Sequence, residues 1–181
     1  MKESTSRRLF LQKSAMASTG LALLSSGIAN AFTSAPPYNG YNPYSEEKTD
    51  LRTTLFEKHV RVKGVLYDKT GMTPVSNAVI EVWHLSPNSN KYRHRGKLRT
   101  NEAGEYAFIT DFPNSAQSLT ASIYFKISHD DTSIFTELNL GQTQAYITSK
   151  HWEENQQLGE KLFPTSEQFL NVTTINFNIS I

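Results

Sequence analysis

The chain has 181 residues, with 18 basic and 17 acidic side chains and no cysteine. The absence of cysteine excludes disulfides, zinc–thiolate sites, iron–sulfur clusters and cysteine nucleophiles. The nearly balanced charge argues against nucleic acid as a partner, because binding to a polyanion requires a basic surface.

The first 31 residues predict an export signal. The run Ser6-Arg7-Arg8-Leu9-Phe10-Leu11-Gln12-Lys13 matches a twin-arginine signal, and the uncharged stretch after it ends in Ala29-Asn30-Ala31, a signal-peptidase site. We expect cleavage there, which places a folded chain that begins near Phe32 in the periplasm. The alternative is an uncleaved anchor, but the stretch is short and rich in Ser and Gly, whereas a spanning helix needs about 20 mostly apolar residues.

Cleavage sets the charge and the domain size. It removes four basic residues and one acidic residue, which changes the net charge from +1 to −2. Removing 31 of 181 residues leaves 150, enough for one domain with its own core. We therefore predict a signal peptide at 1–31, an extended N-terminal arm at 32–58 and one domain at 59–181, with no membrane span after cleavage.

Alternating apolar and polar residues predict strands along the domain. In Ala121–Ser128, for example, every second residue is apolar, as in a half-buried strand. The same pattern predicts strands at His59–Asp68, Asn77–Leu85, Glu105–Asp111, Ser133–Leu140 and Val172–Ile181. Asn77–Leu85 is apolar on both faces, which indicates a central strand. Strands at short spacing separated by turns are typical of an all-β sandwich.

One helix is predicted within Gln144–Leu162. Four side chains of this segment share one helical face: Ile147, His151, Leu158 and Leu162. The charged run His129-Asp130-Asp131 predicts a turn between two strands.

Several motifs follow the arm in a fixed order. They are Val62-Lys63-Gly64-Val65-Leu66-Tyr67-Asp68, Pro74-Val75-Ser76-Asn77-Ala78, Glu81-Val82-Trp83-His84, Tyr92-Arg93-His94, Arg99-Thr100 and Gly104-Glu105-Tyr106-Ala107-Phe108. The most specific element is the Trp83-His84 strand followed by Tyr92. Over roughly residues 60–128 this ordered set resembles the intradiol ring-cleavage dioxygenases, the catechol and protocatechuate dioxygenase family.

The resemblance implies a β-sandwich that holds a non-haem ferric ion, Fe(III), between two tyrosines and two histidines. Phenolate is a hard anionic donor that suits ferric iron, and the metal activates and orients a catechol-like small molecule. The resemblance also implies a homo-oligomer, since relatives often pair through their N-terminal regions.

Most of the expected ligands are absent at the matching positions. Tyr92 matches the first tyrosine ligand, but Ala116 stands where the second is expected. The two histidines should lie two residues apart on the next strand, where this sequence has Ser122 and Tyr124. The arginine expected just before that pair falls near Leu119.

The sequence also allows a remodelled metal site formed by Tyr92, Tyr124 and His94. His94 follows Tyr92 by two residues, and an extended backbone would place both side chains on one side. The alternatives are a Tyr92 kept by packing, a Tyr124 ring that fills the vacated pocket, and a His94 in a solvated loop within the basic run from Lys91 to Lys97. His84 is expected at a core position behind the ligands.

Two functions follow from these observations. The first is a catalytically degenerate protein that keeps the sandwich for binding or interaction and has lost the iron. The second is an exported dioxygenase that cleaves catechol-like rings through a remodelled iron site. The missing ligands favour the first, whereas folded export, which suits proteins loaded with metal, favours the second.

Overall fold

A computed structural model describes residues 37–115, 120–142 and 144–181. Within these ranges the elements are β1 His59–Tyr67, β2 Val79–His84, β3 His94–Arg99, β4 Glu105–Asp111, β5 Ala121–His129, β6 Thr132–Leu140, β7 Ala145–Ile147, α1 Ser149–Glu154, a 3₁₀ helix Gln156–Leu162, β8 Thr165–Phe169, β9 Val172–Asn176 and β10 Ile179–Ser180. They form two five-stranded sheets, so the predicted all-β sandwich is confirmed. The predicted signal peptide at 1–31, Ala116 and Leu119 lie outside the described residues.

The first sheet is built around β1. β4 pairs with it antiparallel on one side, while β9 and β10 pair with it parallel on the other and β8 lies beyond β9. The register places Val62 opposite both Phe108 and Ile175. These residues point to the same face and are buried, so this face forms one half of the core.

The second sheet has the order β3-β2-β5-β6-β7, and all its neighbouring strands are antiparallel. β2 pairs with β3 and β5, which confirms the central strand predicted over Asn77–Leu85. β5 and β6 are joined by a tight turn in which Asp130 adopts a positive φ of 48°, which confirms the turn predicted after His129.

The core lies between the two sheets. Phe125 of the second sheet packs against Phe108 of the first and against Phe177, which lies between β9 and β10, with ring centroids 6.0 Å and 5.3 Å apart. The alternation of β5 buries Ile123, Phe125 and Ile127 in this core and turns Ser122, Tyr124 and Lys126 toward the opposite face, here called the outer face.

The segment 46–51 closes one open edge of the sandwich. Lys48 N donates to Lys97 O of β3 at 3.0 Å, and Leu51 N donates to Ile109 O of β4 at 2.8 Å, so this segment bonds to an edge strand of each sheet. Leu51 is 4% exposed and belongs to the core.

The region predicted to contain one helix contains β7 and two short helices instead. Thr148 accepts a hydrogen bond from His151 N and caps α1, and Gly159 with a φ of 57° interrupts the 3₁₀ helix. His151, Leu158 and Leu162 are buried, as the predicted helical face requires. None of the helices in the described part of the chain is long and apolar enough to cross a membrane.

Candidate functional site

The outer face of the second sheet brings aromatic and polar side chains together. In register, Trp83 of β2 lies beside Tyr124 of β5, and Tyr124 lies beside Glu137 of β6. Strand alternation turns all three to the same side. We define the outer-face site as Tyr38, Tyr92, Ser122, Tyr124 and Glu137.

Tyr92 and Tyr124, both singled out by the sequence, meet in this site. Their ring centroids are 6.3 Å apart with planes inclined at 47°. Burial raises the pKa of Tyr124, and the nearby Tyr92 and Glu137 raise it further. The Tyr124 phenol therefore stays protonated near neutral pH and can act as a hydrogen-bond donor.

Ser122 stands at the other position where the resemblance expects a histidine. Its Oγ donates to Asn139 Oδ1 at 2.7 Å. Glu137 lies opposite Tyr124 on the neighbouring strand, and burial raises the pKa of its carboxyl. This corner of the site is thus a polar rim.

The site also contains a residue that the sequence reasoning missed. The ring of Tyr38, from the N-terminal arm, stacks on Tyr124 with centroids 4.8 Å apart and planes inclined at 27°. Such an offset stack is a favourable aromatic geometry. Burial raises the pKa of Tyr38 to about 12, and the charges of Glu137 and Glu154 contribute.

Residues 38–43, here called the strap, lie across the outer face. Trp83 Nε1 donates to Asn39 O at 3.0 Å. Gly40 has a φ of 79°, and a Cβ at this position would overlap the ring of Tyr92. Only glycine combines this backbone conformation with so close an approach to the ring.

Tyr41 of the strap covers an ion pair. Glu81 is 5% exposed and lies 3.4 Å from the Lys126 ammonium. The Tyr41 hydroxyl donates to Glu81 Oε2 at 3.1 Å and accepts from Lys126 Nζ at 2.9 Å. Because each charge has a partner, the pair is accommodated under the strap without an unpaired buried ion.

His94 lies away from this site. It pairs with His84 and faces the sandwich interior, whereas Tyr124 faces outward. Its Nε2 donates to Asp111 Oδ2 at 2.8 Å, and its Nδ1 bonds to Ser86 Oγ at 2.9 Å.

Two predictions about His94 are therefore corrected. The alternative of a solvated loop is wrong, because β3 begins at His94 and the side chain is 3% exposed. The expectation that His94 and Tyr92 share one side is also wrong, because Tyr92 precedes the strand and regular alternation does not extend back to it.

Asp111 joins His94 to further groups in an inter-sheet cluster, defined as His59, His94 and Asp111. Asp111 Oδ1 accepts from His59 Nδ1 at 3.1 Å, and Oδ2 also accepts from Thr53 N at 2.8 Å and Thr53 Oγ1 at 2.6 Å. Burial alone would raise the pKa of Asp111, but the hydrogen bonds from Thr53 and His94 outweigh it and hold the pKa below its usual value. The carboxylate thus remains charged and ties the two sheets together.

His84 occupies a core position, as the sequence predicted. Its ring stacks on His94 with centroids 4.8 Å apart. Nδ1 donates to Leu85 O at 2.7 Å, so Nε2 is left to accept from Thr110 Oγ1 at 2.6 Å. Burial lowers the pKa of His84 to about 3, which keeps the ring neutral.

The residues at the matching positions do not fit the ferric ion that the resemblance implies. Ala116 has no donor atom in its side chain, Ser122 offers a neutral hydroxyl that is bonded to Asn139, and both ring nitrogens of His94 are engaged on the other side of the sheet. Of the residues singled out from the sequence, only Tyr92 and Tyr124 keep a phenol oxygen that could bind a ferric ion. Across residues 37–115, 120–142 and 144–181, no group of three or more His, Cys, Asp or Glu side chains is placed to hold a metal.

Comparison with known proteins identifies the fold. No protein-family model and no curated relative matches the sequence. Solved structures do match: the dioxygenase domain of a dioxygenase carbohydrate-binding protein fusion from Streptomyces sp. SirexAA-E is 14% identical with a TM-score of 0.61, over 81% of this chain and 95% of that one.

Two further matches are an intradiol ring-cleavage dioxygenase from Tetranychus urticae (15% identity, 80% of this chain and 90% of that one, TM-score 0.54) and 3-chlorocatechol 1,2-dioxygenase from Rhodococcus opacus 1CP (15% identity, 97% and 88%, TM-score 0.55). The chain therefore has the fold of the intradiol ring-cleavage dioxygenases, and the resemblance read from the sequence is confirmed at the level of the fold.

Proposed function

We propose that this chain is an exported binding protein that uses the intradiol dioxygenase fold without its iron chemistry and takes a catechol-like ring at the outer-face site. The observation that carries this proposal is the use made of Ser122 and Tyr124. They replace the expected histidine pair, and both are engaged in contacts with Asn139 and Tyr38. Side chains that are held by contacts with other protein groups are suited to binding a small-molecule ligand rather than a metal ion.

The composition of the site supports an aromatic ligand. Tyr92, Tyr124 and Trp83 provide flat apolar surfaces, with the Trp83 and Tyr124 rings 5.8 Å apart. The phenol of Tyr124 and the polar groups of Ser122 and Glu137 can exchange hydrogen bonds with ring hydroxyls. A small ring with adjacent hydroxyls matches this combination.

Export to the periplasm is part of the same proposal and is supported by the twin-arginine run and the Ala29-Asn30-Ala31 site. A homo-oligomer is likewise proposed by analogy with the fold relatives. Fractionation and sedimentation of the chain expressed from Met1 would test these two points.

Catechol titration combined with oxygen measurement tests the binding role. The chain beginning at Phe32 is titrated with catechol in a calorimeter, while an oxygen electrode follows the same mixture. We expect a dissociation constant of about 1 mM or lower, equivalent to roughly −4 kcal/mol or better, and no oxygen uptake. Tyr124→Ala should weaken binding, and Tyr146→Ala, which changes a 44% exposed tyrosine of β7, should not.

Two results would contradict the proposal. Oxygen uptake with release of a ring-opened product would favour the alternative, an active dioxygenase with a remodelled iron site. Equal binding by the Tyr124→Ala and Tyr146→Ala variants, or no binding at all, would remove the outer-face site as the ligand site.

A further inference from the structure

We infer that Tyr38 fills the ring-binding position of the outer-face site, so that an uncharged phenolic ligand binds only when the strap leaves the sheet. This inference rests on the proposed function and adds an internal competitor to it. The ring of Tyr38 is itself a phenol, and it stacks on Tyr124 at 4.8 Å, the place a flat aromatic ligand would take.

The strap is held by contacts to the outer face, and none of its residues belongs to the core cluster between the sheets. The Tyr41 ring packs on Trp83 with centroids 5.2 Å apart. Asn39 O accepts from Trp83 Nε1, and Tyr41 bonds to Glu81 and Lys126. Lys97 Nζ adds a long bond of 3.4 Å to Pro43 O. Each of these bonds involves at least one side chain, and none of the six strap residues is buried.

The chain is anchored immediately after the strap. Lys97 N donates to Glu46 O at 2.9 Å, which is the first main-chain hydrogen bond from the described arm to either sheet. Segment 46–51 continues with bonds to β3 and β4, and Leu51 lies in the core. The strap can therefore hinge at residues 44–45 and leave the sheet while segment 46–51 stays in place.

The charges around Tyr38 define the class of ligand. Glu137 lies opposite Tyr124 in the strand register, and Tyr38 stacks on that same Tyr124 ring. Burial raises the pKa of Tyr38, and the charges of Glu137 and Glu154 raise it further. A ring that replaces Tyr38 on Tyr124 lies beside Glu137, whereas Glu154 is paired with Lys150 at 3.8 Å. Catechol, which is neutral near pH 7, should therefore bind better than 3,4-dihydroxybenzoate, which carries a carboxylate.

Trp83 provides a direct reporter of the strap. In ¹⁵N-labelled protein two indole N–H signals are expected, one from Trp83 bound to Asn39 O and one from Trp152, which is 46% exposed. Catechol should shift the Trp83 signal and speed its exchange with solvent, while the Trp152 signal remains unchanged. Trp152→Phe assigns the two signals.

A matched pair of variants measures the competition. Tyr38→Ala removes the stacked ring, and Tyr44→Ala removes a 90% exposed tyrosine just outside the strap. If the strap is docked about nine-tenths of the time, Tyr38→Ala should bind catechol about tenfold more tightly than the parent chain, because apparent affinity scales with the competent fraction. Tyr44→Ala should bind like the parent chain.

The outcomes separate this inference from the proposed function. If the parent chain binds catechol but Tyr38→Ala binds no more tightly and the Trp83 signal stays in place, the strap is not a competitor and the binding role stands. If Tyr38→Ala binds catechol more weakly than the parent chain, the Tyr38 ring contacts the ligand instead of competing with it, which also overturns the inference. If neither chain binds catechol, the inference and the proposed function both fail.

Discussion

Asp111 on β4 accepts a hydrogen bond from His94 on β3 at 2.8 Å, so a carboxylate of one sheet is joined to an imidazole of the other. The same carboxylate is bonded to His59 and Thr53, and Asp111 is 0% exposed. These contacts give His94 a structural role in place of the metal-ligand role drawn from the sequence.

Replacement of Asp111 should therefore be costly. Asp111→Asn leaves an NH₂ group facing donors of His59, His94 or Thr53, and removes the charge that holds them. We expect the free energy of unfolding to fall by about 3–5 kcal/mol, as for breaking a buried pair. Urea unfolding measures it.

Asp50→Asn is the matched control. Asp50 pairs with Arg52 at 2.7 Å, but its side chain is 55% exposed, so its loss should cost less than about 1 kcal/mol. Equal losses for the two variants would show that the inter-sheet cluster contributes little.

Gly40→Ala should detach the strap without unfolding the sandwich. The added Cβ meets the Tyr92 ring, and alanine is strained at a φ of 79°. We expect the Trp83 indole N–H to lose its bond to Asn39 O, seen as a shifted signal with faster solvent exchange. The midpoint of urea unfolding should change little, since the strap residues are not part of the core.

Gly141→Ala provides a comparison, because a Cβ at Gly141 would meet Tyr146 and Gln144 rather than a residue of the strap. An unchanged Trp83 signal in Gly40→Ala, or the same change in Gly141→Ala, would contradict this account of the strap.

Acid should weaken the fold through His151. Burial lowers the pKa of His151 to about 4, whereas the same imidazole in the unfolded chain titrates near 6.5. Between these two pH values the unfolded chain carries a proton on His151 that the folded chain does not. The contribution of His151 to stability is therefore fully present above about pH 6.5 and is lost as the pH drops toward 4. At 1.36 kcal/mol for each pKa unit the loss is about 3 kcal/mol.

Urea unfolding at pH 7 and pH 4.5 tests this assignment. His151→Gln should be less stable than the parent chain at pH 7, because it loses the ring packed 4.7 Å from Phe177, but it should lose less on acidification. His129→Gln, which changes a partly exposed histidine, should keep the parent's pH dependence. His84, whose pKa burial lowers to about 3, adds a loss of stability in acid that all three chains share. Identical acid sensitivity in all three chains would therefore exclude His151 as a contributor.

The strands that the sequence predicted are those with a clear apolar face. Glu105–Asp111 is found with the predicted bounds as β4, and the buried residues of β5 are the predicted ones. β3 was missed because His94 and Gly96 occupy its buried face, which weakens the period-two signal. β8 was missed because Thr165–Phe169 is mostly exposed and has no apolar alternation.

The last predicted strand is interrupted by side-chain hydrogen bonds that the alternation of apolar and polar residues does not reveal. Val172–Ile181 splits into β9 and β10 around Asn178, whose Oδ1 accepts from Val65 N at 2.9 Å and whose Nδ2 donates to Lys161 O at 2.9 Å. The side chain takes the place of a main-chain ladder bond there. Such a contact depends on residues far apart in the chain.

The outer-face site could likewise be predicted from the sequence only in part. The resemblance brought Tyr92 and Tyr124 to one place, and they do meet. Tyr38 could not be assigned to it, because the arm has no periodic pattern and its position depends on Trp83 and Gly40. Nor did spacing reveal that His94 faces Asp111, since the backbone between Tyr92 and β3 is irregular.

Expression with iron shows whether the residues that replace the expected ligands hold a metal. The chain is expressed from Met1 with iron supplied, the folded protein is purified, and its metal content and visible spectrum are recorded. We predict a colourless, well-folded protein with no stoichiometric iron, because Ser122, Tyr124 and Ala116 replace the expected ligands. Stoichiometric iron with a tyrosinate-to-iron charge-transfer band, abolished by Tyr92→Phe, would contradict it.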